Sequence, residues 1–142
     1  MTNILSKSEN DTAEAAKTLA KTLKAPKIIL INGTLGMGKT VFARALIRAL
    51  CNDSDLEVIS PTFTLLQTYD SERGAINHYD LYRIEDPNEI LELGWEDSIY
   101  DAITIVEWPE RLGAYKPSEY LDITLSNSDN SDTTREIHIQ QV

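Results

Sequence analysis

A glycine-rich motif in the first third of the chain has the residue types and spacing of a phosphate-binding loop. Residues 33–40 read GTLGMGKT and match the P-loop pattern G-x-x-x-x-G-K-[ST] in full. The glycines let backbone amides converge on phosphate oxygens, and a following helix would add the partial positive charge of its N-terminus. In this pattern the lysine reaches the β and γ phosphates, and the final hydroxyl is offered to Mg²⁺. The predicted nucleotide contacts are Gly33, Thr34, Leu35, Gly36, Met37, Gly38, Lys39 and Thr40.

A tight turn between a strand and a helix is the alternative explanation of these glycines, but it would leave Lys39 without a role. No guanine-reading [NT]-K-x-D sequence occurs in the chain, which favours ATP over GTP. The sequence therefore predicts ATP as the nucleotide and Mg²⁺ as the ion bound with it.

A nucleotide site of this kind also needs an acidic residue near the metal or the attacking water, normally at the end of an apolar strand. Two runs end in such a residue: ITIVE at 103–107 ends in Glu107, and INHYD at 76–80 ends in Asp80. Ligands bind at the carboxyl ends of strands in open α/β sheets. With 23 acidic residues in the chain, composition alone does not decide between the two.

The elements that must position these residues follow from the hydrophobic pattern. Residues 28–31 are a continuous aliphatic run, as expected of a parallel strand covered on both faces. Apolar residues at an i, i+4 spacing from Val41 to Leu50 predict a helix directly after the P-loop. A first helix is predicted over residues 8–23, after a Ser8-x-x-Asp11 sequence that resembles a capping box.

The rest of the chain is read as short strands and one short helix. The β-prone runs lie at 58–60, 64–69, 75–79, 103–107, 121–126 and 136–140. Asp86-Pro87 followed by Glu89 predicts a capped helix that stops at Gly94. Residues 126–134 form a polar, turn-rich stretch typical of a mobile hairpin loop. We therefore expect one α/β domain over residues 1–142, P-loop NTPase-like, with a mostly parallel sheet flanked by helices and a C-terminal β-hairpin.

Composition narrows the classes of partner. The 142 residues carry 13 Lys+Arg against 23 Asp+Glu, a net charge of −10, so direct binding to a nucleic-acid backbone is not expected. Cys51 is the single cysteine, which excludes an intrachain disulfide and a cysteine-cluster metal site. No apolar run approaches the ~18 residues of a membrane-spanning helix. We expect a soluble, cytoplasmic protein without membrane contact, in which His78 and His138 are structural.

Four blocks of sequence together resemble the TsaE family (formerly YjeE) of small bacterial P-loop ATPases. They are the P-loop at 33–40, SPTFT at 60–64, HYDLYR at 78–83 and VEWP at 106–109. Their order and spacing span most of the chain, and the combination is far more specific than the P-loop alone. The resemblance implies Mg-dependent ATP hydrolysis that supports the formation of threonylcarbamoyladenosine at position 37 of tRNAs reading codons that start with A.

The resemblance also implies roles for individual residues. Thr62 lies in a block similar to the family's switch-like segment, near the γ-phosphate and metal. Asp80 looks like the family's metal-associated aspartate, and Glu107 like its Walker-B-type acid near Mg²⁺ and the attacking water. With Lys39 these residues form the expected catalytic set, and Thr40, Asp80 and Glu107 form the expected metal set.

Three further nucleotide contacts are carried over from the family. Trp108 matches a tryptophan beside the acid, although a core tryptophan is the commoner interpretation of such a residue. Thr12 and Arg135 fall where the family's N-terminal helix and C-terminal hairpin approach the nucleotide.

The expected partners are the TsaB and TsaD proteins, with tRNA engaged only indirectly through that complex. Two other functions stay open at the level of sequence. A P-loop small-molecule kinase would usually have a lid with clustered arginines, and the arginines here are dispersed in the sequence. A nucleotide-dependent binding module would not require turnover.

Overall fold

The aliphatic run predicted as a buried strand forms the centre of a seven-stranded sheet in the computed structural model, which describes residues 2–34, 36–128 and 133–142. Strand β2 (Lys27–Asn32) pairs in parallel with β5 (Ile103–Glu107) on one side and with β6 (Leu121–Asn127) on the other. Strand β4 (Gly74–Asp80) continues the parallel sheet beyond β5. The predicted parallel centre of the sheet is therefore confirmed.

Antiparallel strands complete both edges of this sheet. Strand β3 (Leu66–Ser71) forms a hairpin with β4. At the other edge, β7 (Arg135–Gln141) pairs with β6, which confirms the predicted C-terminal strand pair. Strand β1 (Thr2–Ser6) then adds outside β7, so the strand order is β1-β7-β6-β2-β5-β4-β3.

Two layers cover the sheet because its central strands are apolar on both faces. Helices α1 (Glu9–Ala20) and α2 (Lys39–Leu50) pack on the face that carries Ile29 and Ile31. Leu30 points to the opposite layer, as successive residues of a strand do. That layer contains α3 (Trp95–Asp101) and two 3₁₀ segments, Pro87–Leu93 and Pro109–Tyr115.

Several predicted boundaries are wrong for local physical reasons. Residues 58–60 are not a strand: Val58 is buried, but Pro61 follows directly and no strand pairs with this run. Helix α1 ends at Ala20 rather than at residue 23. Beyond this end, the Arg73 guanidinium donates hydrogen bonds to the carbonyls of Ala20 and Leu23.

The helix caps follow the prediction in part. Ser8 caps α1 by accepting from the Asp11 amide at 3.1 Å, but the Asp11 carboxylate accepts from Lys7 N instead of completing a capping box. Asp86 and Glu89 form the full predicted box, although the segment they open is 3₁₀. Residues 129–132 of the predicted hairpin loop lie outside the described residues, as does Leu35.

The fold brings three parallel strand ends to one place. Ile31 of β2 lies opposite Glu107 of β5, and Glu107 lies opposite Asp80 of β4. The P-loop starts where β2 ends, so the loop and both carboxylates meet at the same edge of the sheet. In the part of the chain that the structure describes, no helix has the length and apolar character needed to cross a membrane.

Candidate functional site

The P-loop has a backbone that only glycine adopts readily at its two ends. Gly33 has φ 150°, and a Cβ there would lie 2.8 Å from the Leu125 carbonyl oxygen. Gly38, which precedes the first residue of α2, has φ 89°. These left-handed positions wrap the loop around the N-terminus of α2, where unpaired helix amides favour an anion.

Lys39 is buried at the base of this loop although it is a lysine. Its residue is 5% exposed, and its ammonium donates to the Gly33 carbonyl. The same nitrogen lies 3.4 Å from the centre of the Trp108 ring, a cation–π contact. Burial lowers the pKa of Lys39, and the charges of Glu107, Glu110 and Asp80 oppose that shift. No carboxylate within 4.0 Å pairs with Lys39 among the described residues, so an anion in the loop would supply its missing partner.

The two candidate carboxylates lie side by side and are held differently. Glu107 is 1% exposed, and its Oε1 accepts from the Thr40 hydroxyl at 3.3 Å. Asp80 is 5% exposed and accepts from the Tyr82 amide at 3.0 Å and from the Thr62 hydroxyl at 3.2 Å. Burial raises the pKa of Asp80; the hydrogen bond from Tyr82 lowers it, and the Glu107 charge raises it further.

Thr62 reaches Asp80 from a strained turn. Leu65 closes this turn with φ 69°, and its amide donates to the Pro61 carbonyl at 2.7 Å. The Leu65 carbonyl in turn accepts from the Asp80 amide, which ties the turn to the end of β4. Thr62 also shares a 2.8 Å hydrogen bond with the Ser60 hydroxyl. The segment at residues 60–64 thus contacts Asp80 through the Thr62 side chain.

Trp108 is also held in a strained conformation, with φ 60° and ψ 51°. A bulky residue rarely adopts this left-handed region unless the surroundings fix it. Here the turn redirects the chain after Glu107 and lays the indole beneath Lys39, where Tyr82 packs on it with ring centres 4.9 Å apart.

Two clefts flank the P-loop. The carboxylate cleft, about 420 Å³, is lined by Glu9, Gly36, Met37, Gly38, Lys39, Thr40, Val41, Thr62, Asp80, Tyr82, Glu107 and Trp108. The terminal cleft, about 370 Å³, is lined by Lys7, Ser8, Glu9, Thr12, Gly36, Met37, Gly38, Val41, Thr133 and Arg135. They share the glycine-rich face of the loop, so one extended ligand can occupy both.

The terminal cleft contains the two contacts predicted from the chain ends. Thr12 is 4% exposed and shares a 2.7 Å hydrogen bond with the Ser6 hydroxyl. Arg135 donates to the Gly36 carbonyl at 3.1 Å and to the Asn127 side chain at 3.0 Å. Strand β1 brings these residues together, because it places Ser6 opposite Arg135 of β7.

Oxygen donors at the carboxylate cleft fit Mg²⁺ bound together with phosphates. Mg²⁺ typically takes one or two carboxylates, keeps several waters and shares phosphate oxygens. Thr40, Asp80 and Glu107 supply one hydroxyl and two carboxylates here. Within residues 2–34, 36–128 and 133–142, no group of three or more His, Cys, Asp or Glu side chains could hold a metal unaided.

Most of the predicted residues come together, and two features were missed. Gly33 and Thr34 lie at the base of the loop, where the Thr34 carbonyl accepts from the Met37 amide, and Leu35 lies outside the described residues. His78, expected to be structural, lies 2.7 Å from Glu107. Lys7 lines the terminal cleft. The only sequence signal near it is the helix-capping sequence that begins at Ser8.

The dispersed arginines are less scattered in space than in sequence. Arg48 and Arg73 line one cleft with Lys17 and Lys21, at the C-terminal ends of α1 and α2. Arg73 donates there to the carbonyl of Ala20, the last residue of α1, and to that of Leu23, which explains its position. No arginine lines the carboxylate cleft in the described part of the chain.

A parallel sheet with a glycine-rich loop between β2 and α2, a buried lysine in that loop and two acids at adjacent strand ends defines a P-loop nucleotide-binding protein. The family model described as "Threonylcarbamoyl adenosine biosynthesis protein TsaE" matches residues 6–137. The chain belongs to the TsaE family.

Individual relatives agree with this membership. The chain is 42% identical over 124 residues to a Rickettsia conorii protein, covering 87% of this chain and 70% of that protein. It is 40% identical over 108 residues to an Aquifex aeolicus protein, covering 76% and 77%. Both are named "tRNA threonylcarbamoyladenosine biosynthesis protein TsaE". The fold is similar to the crystal structure of Bacillus subtilis YdiB, with a TM-score of 0.81 and 23% identity over 99% of this chain and 85% of that one.

Proposed function

We propose that this protein binds Mg·ATP and hydrolyses it in the biosynthesis of threonylcarbamoyladenosine in tRNA, with residues 1–142 acting as one domain in the cytoplasm. The observation that carries the hydrolysis is the pair of buried carboxylates, Asp80 and Glu107, at adjacent strand ends next to Lys39 and Thr40. One acid would be enough to hold the metal of a stored nucleotide, and the second acid can act on the attacking water.

The phosphates would lie against the P-loop amides, with Lys39 neutralising charge on the β and γ groups. Thr12 and Arg135 would bind the nucleotide along the terminal cleft. The loop residues predicted as contacts, Gly33, Thr34, Leu35, Gly36, Met37 and Gly38, would bind its phosphates. Trp108 would keep Lys39 shielded from water through its ring face.

Thr40, Asp80 and Glu107 would hold Mg²⁺, which when bound stabilises charge on the transferring phosphoryl oxygens and orients the nucleophile. Glu107 would accept a hydrogen bond from the attacking water, and Thr62 would sense the γ-phosphate. Positioning and charge stabilisation supply most of the catalysis in phosphoryl transfer, so no covalent intermediate on the protein is needed.

We further propose that the TsaB and TsaD proteins complete the site, and that tRNA is engaged only through them. No arginine lines the carboxylate cleft among the described residues. A cation supplied in trans is worth about 10³ to 10⁵ in rate in related P-loop enzymes. Phe63, next to Thr62, is 78% exposed under the Arg83 guanidinium at 4.3 Å, which gives a partner an apolar contact beside the γ-phosphate sensor.

The test is phosphate release by the isolated protein and by the protein with increasing amounts of both partners. We expect slow release alone and a several-fold increase with the partners, together with tighter association in ATP than in ADP. Thr62→Ala should lose most of that increase because the segment no longer reports the γ-phosphate. If the protein binds ATP but releases no phosphate, either alone or with the partners, it is a binding module instead.

A further inference from the structure

His78 lies beneath the carboxylate cleft, inside the sheet. It is in β4, two residues before Asp80, and is 1% exposed. Its Nε2 lies 2.7 Å from Oε2 of Glu107 on the neighbouring strand.

The hydrogen bonds around this pair indicate which atom donates. The other Glu107 oxygen accepts from the Thr40 hydroxyl, and an ionised carboxylate has no proton of its own to donate to His78. His78 Nδ1 is buried and has no hydrogen-bond partner among the described residues. A proton on Nε2 leaves only a lone pair at Nδ1, whereas a proton on Nδ1 would leave a buried donor unpaired at a larger cost. The geometry therefore favours an Nε2–H that donates to Glu107.

We propose that His78 is a positioning residue for Glu107, an inference that rests on the proposed function. The short His78 bond fixes Oε2, and the carboxylate plane then keeps Oε1 directed toward Thr40 and the cleft. The Thr40 contact, at 3.3 Å, is too long to hold the side chain by itself. Residues that orient a metal-binding or reacting carboxylate contribute about 10- to 100-fold to metal affinity or activity.

The first test is a spectroscopic measurement on the free protein labelled with ¹⁵N-histidine. The chain has two histidines, and half-buried His138, which lies opposite Thr124 on β6, is an internal control. We expect His78 to show a protonated Nε2 and a bare Nδ1, and Glu107→Gln to move the His78 signals but not those of His138. A proton on Nδ1, or a rapidly exchanging tautomer mixture like that of free histidine, would overturn the proposal.

A pair of amide substitutions then tests the effect on the site. The Gln amide reaches about as far as Nε2, whereas the Asn amide reaches only as far as Nδ1. His78→Asn should weaken Mn²⁺ binding to the ATP-bound protein and slow phosphate release, each by about 10- to 100-fold. The affinity for ATP measured without metal should change by less than about threefold, because the carboxylate and not the P-loop is affected. His78→Gln should stay within about threefold of the parent in all three measurements.

The outcomes separate this inference from the proposed function. If the Gln and Asn variants lose activity equally, or both behave like the parent, the positioning role is wrong even where Glu107→Gln is inactive. If the parent releases no phosphate with its partners, the proposed hydrolysis fails, and the histidine spectrum and Mn²⁺ affinity still decide the role of His78. Should His78→Asn not fold, the spectrum of the parent and of Glu107→Gln gives the answer.

Discussion

The two clefts beside the P-loop differ in where their polar side chains come from. The carboxylate cleft takes Asp80 and Glu107 from adjacent parallel strands in fixed register, with both side chains buried. The terminal cleft takes Thr12 and Arg135 from opposite ends of the chain, joined by the pairing of β1 with β7. Groups on a rigid sheet edge suit chemistry that needs accurate positions, and groups on chain ends suit recognition, where small shifts cost less.

The difference extends to charge. The carboxylate cleft contains buried Lys39 and Asp80. Burial lowers the pKa of Lys39 and raises the pKa of Asp80, so both shifts favour the neutral side chain. In the terminal cleft, Arg135 already donates to the Gly36 carbonyl and the Asn127 side chain. Removing groups from the first cleft should therefore change binding or turnover strongly, while removing groups from the second should weaken binding moderately.

The largest effect is expected at Lys39, in the carboxylate cleft. Lys39→Ala should abolish high-affinity ATP binding, by at least about 100-fold, because the buried ammonium is the fixed counter-charge for the phosphates. Lys17→Ala, which removes an exposed lysine paired with Glu14, should leave ATP affinity unchanged. Calorimetric titration with ATP measures both variants. A native circular-dichroism spectrum with unchanged ATP affinity in Lys39→Ala would overturn the phosphate assignment.

The next effect separates the two acids of the carboxylate cleft. Glu107→Ala should slow hydrolysis by about 100-fold while ATP affinity falls by less than about fivefold, because the carboxylate acts on the water more than on the phosphates. Asp80→Ala should raise the Mg²⁺ concentration needed for half-maximal ATP binding by about tenfold. Phosphate release and Mg²⁺ titrations in the presence of the partners distinguish the two. Parent-like hydrolysis in both variants would remove the acids from the site.

A smaller effect is expected in the terminal cleft. Arg135→Ala and Thr12→Val should each weaken ATP and ADP binding by about three- to tenfold, the loss of one or two hydrogen bonds. The factors should be equal for the two nucleotides because this cleft lies on the other side of the loop from Thr62 and the carboxylates. The Mg²⁺ dependence should not change. A loss confined to ATP would show that the clefts share the γ-phosphate.

The comparison also shows which parts of the site a sequence can predict. The P-loop and the two strand-end acids, Asp80 and Glu107, could be predicted because each lies in a short contiguous motif. The pairing of Asp80 with Glu107 could not, since it depends on β4 lying beside β5 in one particular register. The contact of His78 with Glu107 could not be predicted, because it runs diagonally between strands and joins residues 29 positions apart in sequence.

Local patterns predicted the central strands and the edge strand β3 but missed the edge strand β1. Strands β2 and β5 are long aliphatic runs buried on both faces, so their composition identifies them. Strand β1, TNILS, is mostly exposed and gains its strand geometry from β7, more than a hundred residues away. Residues 58–60 show the opposite case. Their composition predicts a strand and Val58 is buried, but no described strand pairs with them. Strand pairing is a tertiary property that short apolar runs do not encode.

The smallest expected effect concerns stability and is a consequence of burying charge in the carboxylate cleft. Burial raises the pKa of Asp80 above its ordinary value, so the folded state favours the neutral acid. At neutral pH the side chain is ionised when unfolded, and folding then pays for its desolvation. Asp80→Asn should therefore raise the melting temperature of the nucleotide-free protein by about 2 °C, even though the substitution weakens Mg²⁺ binding.

The size of this effect should depend on pH. Below the unfolded pKa near 3.8 the acid is protonated in both the folded and the unfolded state. The difference in melting temperature should therefore be largest above the pKa of folded Asp80. It should shrink as the pH falls from that pKa to the unfolded value. Thermal melts of the parent and of Asp80→Asn across this pH range measure the difference. A variant less stable than the parent at pH 7 would show that the hydrogen bonds from Tyr82 and Thr62 to the ionised carboxylate outweigh the cost of its burial.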